Sequence, residues 1–202
     1  MGPAVERAEG AYLVLEDGTQ LLDANAGGSS FAVLGFSHPD VLEAMRAQMT
    51  RYCHVDFNSW TNPLTEELAA LILSRAPEGL SRVYFAGGSG SEAVEAAMKL
   101  SYQVHHDNGR PERTWTISRN QSYHGATLGS LMASELNNLG FYEPLLPVNH
   151  ARIEQHHPLY YRRDDESLDD YARRSAQELE DKILEIGADK VSAFIGETML
   201  SA

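Results

Sequence analysis

Gly87-Gly88-Ser89-Gly90-Ser91 is the stretch of this 202-residue chain best suited to meet an anion. It follows a short apolar run, Val83-Tyr84-Phe85, and a helical pattern starts directly after it. A strand that ends in glycines and feeds a helix leaves several backbone N–H groups and a helix dipole aimed at one point. Glycine lets the backbone approach a ligand without a Cβ in the way. Ser89 and Ser91 add hydroxyl donors, so a phosphate suits the turn. The competing reading is a plain connection in which Ser91 only caps the helix. Glu92 in the first turn suits the dipole and needs no catalytic explanation.

Which phosphate is a separate question. The Walker arrangement fails because no Gly-Lys-Ser/Thr follows. The dinucleotide pattern G-x-G-x-x-G/A is met formally by Gly88, Gly90 and Ala93. That fingerprint normally opens its domain, whereas here a long segment with its own helices comes first. The next strand ends at Ser118-Arg119 instead of an acidic ribose-binding residue. An arginine could serve a 2′-phosphate, so an NADP-dependent oxidoreductase stays open.

Ligands of open α/β sheets sit at the carboxyl ends of the strands. The strand expected over 114–118 delivers Tyr123, His124 and Gly125 to that rim, and "VSAFIGE" delivers Glu197. Tyr123 could stack on a flat ring or could simply cover the core. Glu197 could hold a cationic or protonated group, or end its strand in water. Phosphate, stacked ring and nearby carboxylate together describe a phosphorylated, nitrogen-bearing aromatic cofactor, and pyridoxal phosphate has those three parts. Elsewhere the chemistry is thinner. His105-His106 suits the last turn of a helix, His156-His157-Pro158 reads as loop, and Cys53 reads as a small packing residue. His54-x-Asp56 lacks a nucleophile motif to serve, and Arg162-Arg163 reads as solvated surface.

The elements that place these groups follow from periodicity. "AYLVLEDGTQLLD" reads as two short strands around Asp17-Gly18. A Gly- and Ser-rich loop leads to a helix after Pro39-Asp40, with Val41, Leu42, Met45 and Met49 in register. Asn62 as cap and Pro63 at the first position open another helix, with Leu64, Leu68, Leu71 and Ile72 on one face. From residue 82 the pattern becomes strand, helix, strand: Val83–Phe85, then Ser91 to about His105 with the stripe Ala93, Ala97, Leu100 and Val104, then 114–118. The charge run "RRDDESLDD" reads as a solvated entry to a helix carrying Leu168, Tyr171, Ala172, Ser175, Leu179 and Ile183, with Glu178 and Lys182 as a surface pair. Gly187 ends it and a buried parallel strand follows. Alternating strands and helices imply an α/β fold, a mostly parallel sheet flanked by helices behind an N-terminal hairpin and helix segment.

Composition narrows the partners. A net charge of -13 argues against nucleic acid and anionic membrane surfaces. No run approaches the ~18 apolar residues a membrane helix needs, and the start of the chain lacks a signal-peptide layout. One cysteine makes no internal disulfide and no Cys/His spacing resembles a zinc site, so a cytoplasmic location is the default expectation.

"GGSGSEAVEAAMKL", "YHGATLGSLMAS" and "VSAFIGET", in that order and spacing, resemble the class III pyridoxal-phosphate aminotransferases of fold type I. "EGAYLVLEDGTQLLD" and "LGFSHPDVLEAM" resemble the N-terminal part of the same family. The resemblance implies that Ser89, Gly90 and Ser91 bind the cofactor phosphate, that Tyr123 stacks on the pyridine ring with His124 and Gly125 beside it, and that Glu197 orders the acidic partner of the ring nitrogen. It further implies a substrate pocket near Ser30, Phe31, Phe57 and Trp60, often shared across a homodimer or higher assembly. The substrates would be a small-molecule amine or ω-amino donor and a keto acid.

Two departures accompany that resemblance. Glu197 is followed by Thr198 where the family has proline. Transamination also needs a Schiff-base lysine, and the three lysines, Lys99, Lys182 and Lys190, fall on helices or at the wrong end of a strand. The expectation is therefore half of an aminotransferase: residues 1–62 as hairpin, loop and helix, and residues 63–202 as the first half of the cofactor-binding domain. The complementary C-terminal half, in the same polypeptide or a separate chain, would bring the lysine. A mutase or decarboxylase of the same fold and a non-catalytic assembly partner are the other outcomes.

Overall fold

The computed structural model describes residues 2–28, 31–57, 59–135 and 139–198. The chain divides into two compact units, Met1–Val83 and Tyr84–Ala202, a later division than the boundary expected at 62/63.

The first unit begins with an antiparallel meander of β1 (Val5–Glu9), β2 (Tyr12–Leu15) and β3 (Gln20–Leu22). The expected hairpin closes through Asp17-Gly18: Gly18 has φ +84° and its N–H donates to the Leu15 carbonyl, while the Asp17 carboxylate accepts from the Thr19 N–H at 2.9 Å. β1 was not expected, because three of its five residues, Glu6, Arg7 and Glu9, are charged and it lies at an exposed edge. Helices α1 (Pro39–Arg51) and α2 (Pro63–Leu73) start at the expected residues, and Asn62 Oδ1 accepts from the Thr65 N–H at 3.0 Å. Their apolar stripes exist but are not covered: neither helix has a buried residue. Cys53, expected to pack, is exposed.

The second unit holds α3 (Gly90–Asp107), β4 (Trp115–Arg119), α4 (Leu128–Ala133), α5 (Leu139–Tyr142), β5 (His150–Ile153), α6 (Pro158–Tyr161), α7 (Leu168–Ile186) and β6 (Val191–Phe194). Its sheet has the order β5-β4-β6, parallel throughout. Alternation along β4 sends Ile117 to one face, where it is fully buried against Ile153, Val191 and the α7 residues Leu179 and Ile183. The opposite face, with Thr116 and Ser118, looks toward α3 and α4, where Met98, Met132 and Leu146 pack together.

Three expectations need correction. Val83–Phe85 is not a strand: it pairs with neither edge of the described sheet, and Tyr84 is 79% exposed. A parallel strand exists only through a neighbour's N–H and C=O groups, and apolar character alone cannot supply them. Second, the stripe Ala93, Ala97, Leu100 and Val104 does not face the sheet. α3 turns Met98, Ser101 and His105 inward, where Ser101 Oγ meets Ser192 Oγ at 2.8 Å and His105 Nε2 meets the Ser192 carbonyl at 2.9 Å. Ala93, Ala97 and Leu100 of the stripe instead line, with Tyr84 and Ala86, an open groove of about 440 Å³.

Third, the charge run before α7 is not merely solvated. Glu166 is held by Arg174 at 2.8 and 2.9 Å and its side chain is only 10% exposed. Glu178 pairs with Arg174 and Lys182 with Glu185, instead of with each other. The hydrogen bonds from Arg174 depress the Glu166 carboxyl from 4.5 to about 2. A depressed carboxyl stabilises the fold fully above its unfolded value and loses that contribution as pH falls toward the folded one. Thermal stability should therefore decline more steeply between about pH 4.5 and about pH 2 in the wild type than in Glu166→Gln, whose profile lacks that component. Parallel profiles would contradict the pairing.

Candidate functional site

The glycine turn is organised from the helix side. Ser89, not Ser91, is the N-cap of α3, and it forms a reciprocal capping box with Glu92. Ser89 Oγ accepts from the Glu92 N–H at 3.3 Å, while Glu92 Oε2 accepts from the N–H groups of Gly88 and Ser89 at 2.9 and 3.0 Å. Gly87 makes room for this: its φ is +143°, and a Cβ there would stand 2.7 Å from the Glu92 carboxylate. Glu92 thus fixes the turn instead of only suiting the dipole. Ser89→Ala should lower stability by about 1 kcal/mol through loss of the cap, measurable by urea unfolding, with an unchanged midpoint contradicting the assignment.

With Gly88 and Ser89 engaged, the forward-facing donors are the N–H groups of Gly90 and Ser91, the first two residues of α3, which have no preceding turn to donate to. A Cβ at Gly90 would meet nothing within 4 Å, so the fold itself does not require glycine there. The space in front of those N–H groups is open.

The loop after β4 closes on the same turn. Ser91 Oγ accepts from the Ala126 N–H at 3.0 Å. Gly125 is the point of closest approach: its φ is +137°, and a Cβ there would lie 2.6 Å from Ser91 Oγ and closer still to Ser130 Oγ. Tyr123 donates its N–H to Glu197 Oε1 at 2.9 Å, which ties the loop to the end of β6, and leaves its ring 47% exposed. His124 donates its N–H to Ser134 Oγ at 2.7 Å. Burial depresses the His124 imidazole below its ordinary range, with the Glu197 carboxylate opposing, which favours the neutral ring.

Three atoms at this rim are buried without a hydrogen-bond partner among the described residues: Arg119 Nε and, beside Tyr123, Glu197 Oε2 and His124 Nε2. Buried polar atoms are rarely left so, and these mark where further polar groups belong. Open N–H groups at a helix start, an uncovered aromatic face and an unused carboxylate oxygen fit a phosphorylated pyridine. They fit a dinucleotide less well. Arg119, the residue that would meet a 2′-phosphate, donates to the Glu197 carbonyl at 3.3 Å and lies 5.4 Å from the centre of the Phe194 ring.

Behind the loop stands a layer that sequence reasoning missed. Ser122, Ser130 and Ser134 are buried and hydroxyl-bonded: Ser122 to the Arg119 carbonyl at 2.7 Å, Ser134 to the Ser130 carbonyl at 2.9 Å, and Ser130 accepting from the Thr127 N–H at 3.1 Å. Arg152 on β5 donates to the carbonyls of Met132 and Ser134, at 2.8 and 3.0 Å. The only signal in the sequence was the density of small hydroxyl residues after "YHGAT".

The rim is built wholly from residues of the second unit. Phe31, Phe57 and Trp60 belong to the first unit, each at least 60% exposed; Ser30 lies outside the described residues. Lys99 lies on α3, Lys182 pairs with Glu185 at 2.6 Å, and Lys190 precedes β6 at the amino end of the sheet, opposite the rim. Among the described residues no three His, Cys, Asp or Glu side chains gather as a metal site, and no helix is long and apolar enough to cross a membrane.

Comparison with known proteins places the whole chain in one family. The family described as aminotransferase class III matches residues 2–202. An uncharacterized aminotransferase of Schizosaccharomyces pombe is 38% identical over 99% of this chain and 43% of its own length. A putrescine–pyruvate aminotransferase of Pseudomonas aeruginosa is 33% identical over 98% of this chain and 43% of its own length. Among solved structures, an omega transaminase of Pseudomonas jessenii in complex with PMP superposes with a TM-score of 0.91 at 32% identity, covering 99% of this chain and 44% of that one. The chain therefore spans under half the length of the relatives it matches.

Proposed function

Because this chain belongs to the class III aminotransferase family, we propose that it forms the N-terminal, cofactor-gripping half of an enzyme that moves an amino group between an amine or ω-amino donor and a keto acid. The observation that carries this reading is the convergence at one sheet rim of the Gly90–Ser91 donors, the half-exposed Tyr123 ring and the unpartnered Glu197 Oε2. Pyridoxal phosphate, when bound, supplies the electron-withdrawing ring on which such transfers depend.

The residues of this chain bind and orient. Gly90 and Ser91 present two N–H groups to the phosphate at the positive end of α3. Glu92 keeps the turn in that conformation by engaging the N–H groups behind it. Tyr123 offers its ring as a stacking face, and its own N–H is pinned by Glu197, so ring and carboxylate keep a fixed relation. Glu197 Oε2 is the atom available to order an acidic group next to the ring nitrogen, and burial of His124 disfavours its cationic form there. A lysine able to bond the cofactor and shuttle the substrate proton would have to be supplied by the complementary segment.

Relatives named for putrescine–pyruvate and gamma-aminobutyrate transamination support an ω-amino donor, with Phe31, Phe57 and Trp60 as pocket walls in a dimer or higher assembly. The complete polypeptide, loaded with pyridoxal phosphate and given putrescine and pyruvate, should form alanine. Formation of no alanine from putrescine, gamma-aminobutyrate or a simple arylalkylamine would overturn the reading.

A further inference from the structure

Glu95 occupies a place that none of the roles above accounts for. It lies one helical turn after Ser91 on the same face of α3. Its Oε1 accepts from Thr127 Oγ1 at 2.7 Å and from the Gly129 N–H at 2.9 Å. Gly129 is small where it must be: a Cβ there would meet Glu95 Oε2 at 2.5 Å. Thr127 Oγ1 in turn lies 2.8 Å from Ser130 Oγ, the hydroxyl that abuts Gly125.

Ser91 and Glu95 therefore act on consecutive points of one loop. Ser91 takes the Ala126 N–H; Glu95 takes the Thr127 hydroxyl and the Gly129 N–H. α4 has only six residues and its first N–H groups have no helical partner, so a carboxylate from α3 both caps it and fixes its distance from the glycine turn. The placement of Tyr123 relative to Gly90 depends on this short span together with the Glu197 contact and the His124 N–H bond to Ser134 Oγ.

We infer that Glu95 is a positioning residue for the cofactor site: it holds the Tyr123–Gly125 loop at a fixed spacing from the Gly90–Ser91 turn, so that one ligand reaches both the phosphate donors and the stacking face. This rests on the reading that the rim binds pyridoxal phosphate. It separates two quantities that a general support role would move together. Inorganic phosphate uses only the turn, which Glu92 fixes independently, whereas pyridoxal phosphate needs turn and loop at the right separation.

The test uses the complete polypeptide stripped of cofactor. Binding of pyridoxal phosphate is followed by quenching of tryptophan fluorescence, and inorganic phosphate is titrated as its competitor. Glu95→Ala leaves the Thr127 hydroxyl and the Gly129 N–H without their acceptor, and should weaken pyridoxal phosphate at least about tenfold while inorganic phosphate changes less than about twofold. Glu95→Gln keeps an acceptor oxygen at the same reach and should stay within about threefold of the wild type for both ligands. Pyridoxal phosphate affinity unchanged in Glu95→Ala would overturn the inference, as would equal losses for both ligands, which mean general support of the fold. Wild-type protein that fails to bind pyridoxal phosphate at all would instead sink the cofactor reading, and this inference with it.

Discussion

Gly125→Ala is expected to destabilise the fold by about 2–4 kcal/mol and to remove measurable affinity for pyridoxal phosphate. Two effects add at this residue. Its φ of +137° lies where a side chain is strained, and the new Cβ falls 2.6 Å from Ser91 Oγ and nearer still to Ser130 Oγ. Neither hydroxyl can step aside at no cost. Ser91 Oγ holds the Ala126 N–H, and Ser130 is fully buried with its hydroxyl bonded to Thr127. The loop must lift away from the turn, and it carries Tyr123 with it. Urea unfolding and cofactor titration check the two halves of this expectation. An alanine variant with wild-type midpoint and wild-type affinity would show that the loop does not press on the turn as described.

Gly90→Asp is the complementary case, expected to spare the fold and damage the site. A Cβ at Gly90 meets nothing within 4 Å, and an acidic residue at the start of a helix is favourable to the dipole, so the unfolding midpoint should hardly move. The new carboxylate, however, enters the region faced by the Gly90 and Ser91 N–H groups. One like-charge pair at about 4 Å costs ~4 kcal/mol at an effective dielectric of about 20, so a partly exposed site should still lose at least about a hundredfold in affinity for the phosphate. Gly90→Ala, which adds bulk without charge, should lose far less. Equal affinities for wild type and Gly90→Asp would refute the assigned cradle. The two glycines thus separate fold from site: Gly125 is packed against the protein, whereas a Cβ at Gly90 meets only open space.

Local signals made much of this legible in the sequence. The Asp17-Gly18 hairpin, the Asn62-Pro63 helix start and the Gly187 helix end appear where residue chemistry puts them, because each depends on contacts within a few residues. The convergence of Ser91, Gly125, Tyr123 and Glu197 followed from one rule of sheet topology. What failed depended on neighbours distant in sequence. Val83–Phe85 has the composition of a strand, but pairing belongs to two segments. The apolar stripe of α3 is real, yet the sheet takes the face with Ser101 and His105, whose polar atoms reach the Ser192 backbone and hydroxyl. β5 was invisible because four residues that include a histidine and an arginine carry no strand signature. Glu92 reads from the sequence only as an acid suited to the helix dipole and Glu95 carries no signal of its own; the positions of the Gly88, Ser89 and Gly129 N–H groups reveal what they hold.

The central claim is that one rim of the second unit grips a phosphorylated pyridine at both ends, and a crystal structure of the complete polypeptide grown with pyridoxal phosphate tests it most directly. The phosphate oxygens should lie within about 3 Å of the Gly90 and Ser91 N–H groups, with the ring lying flat against Tyr123. A cofactor phosphate bound elsewhere, with the Gly90–Ser91 turn facing only solvent, would contradict it.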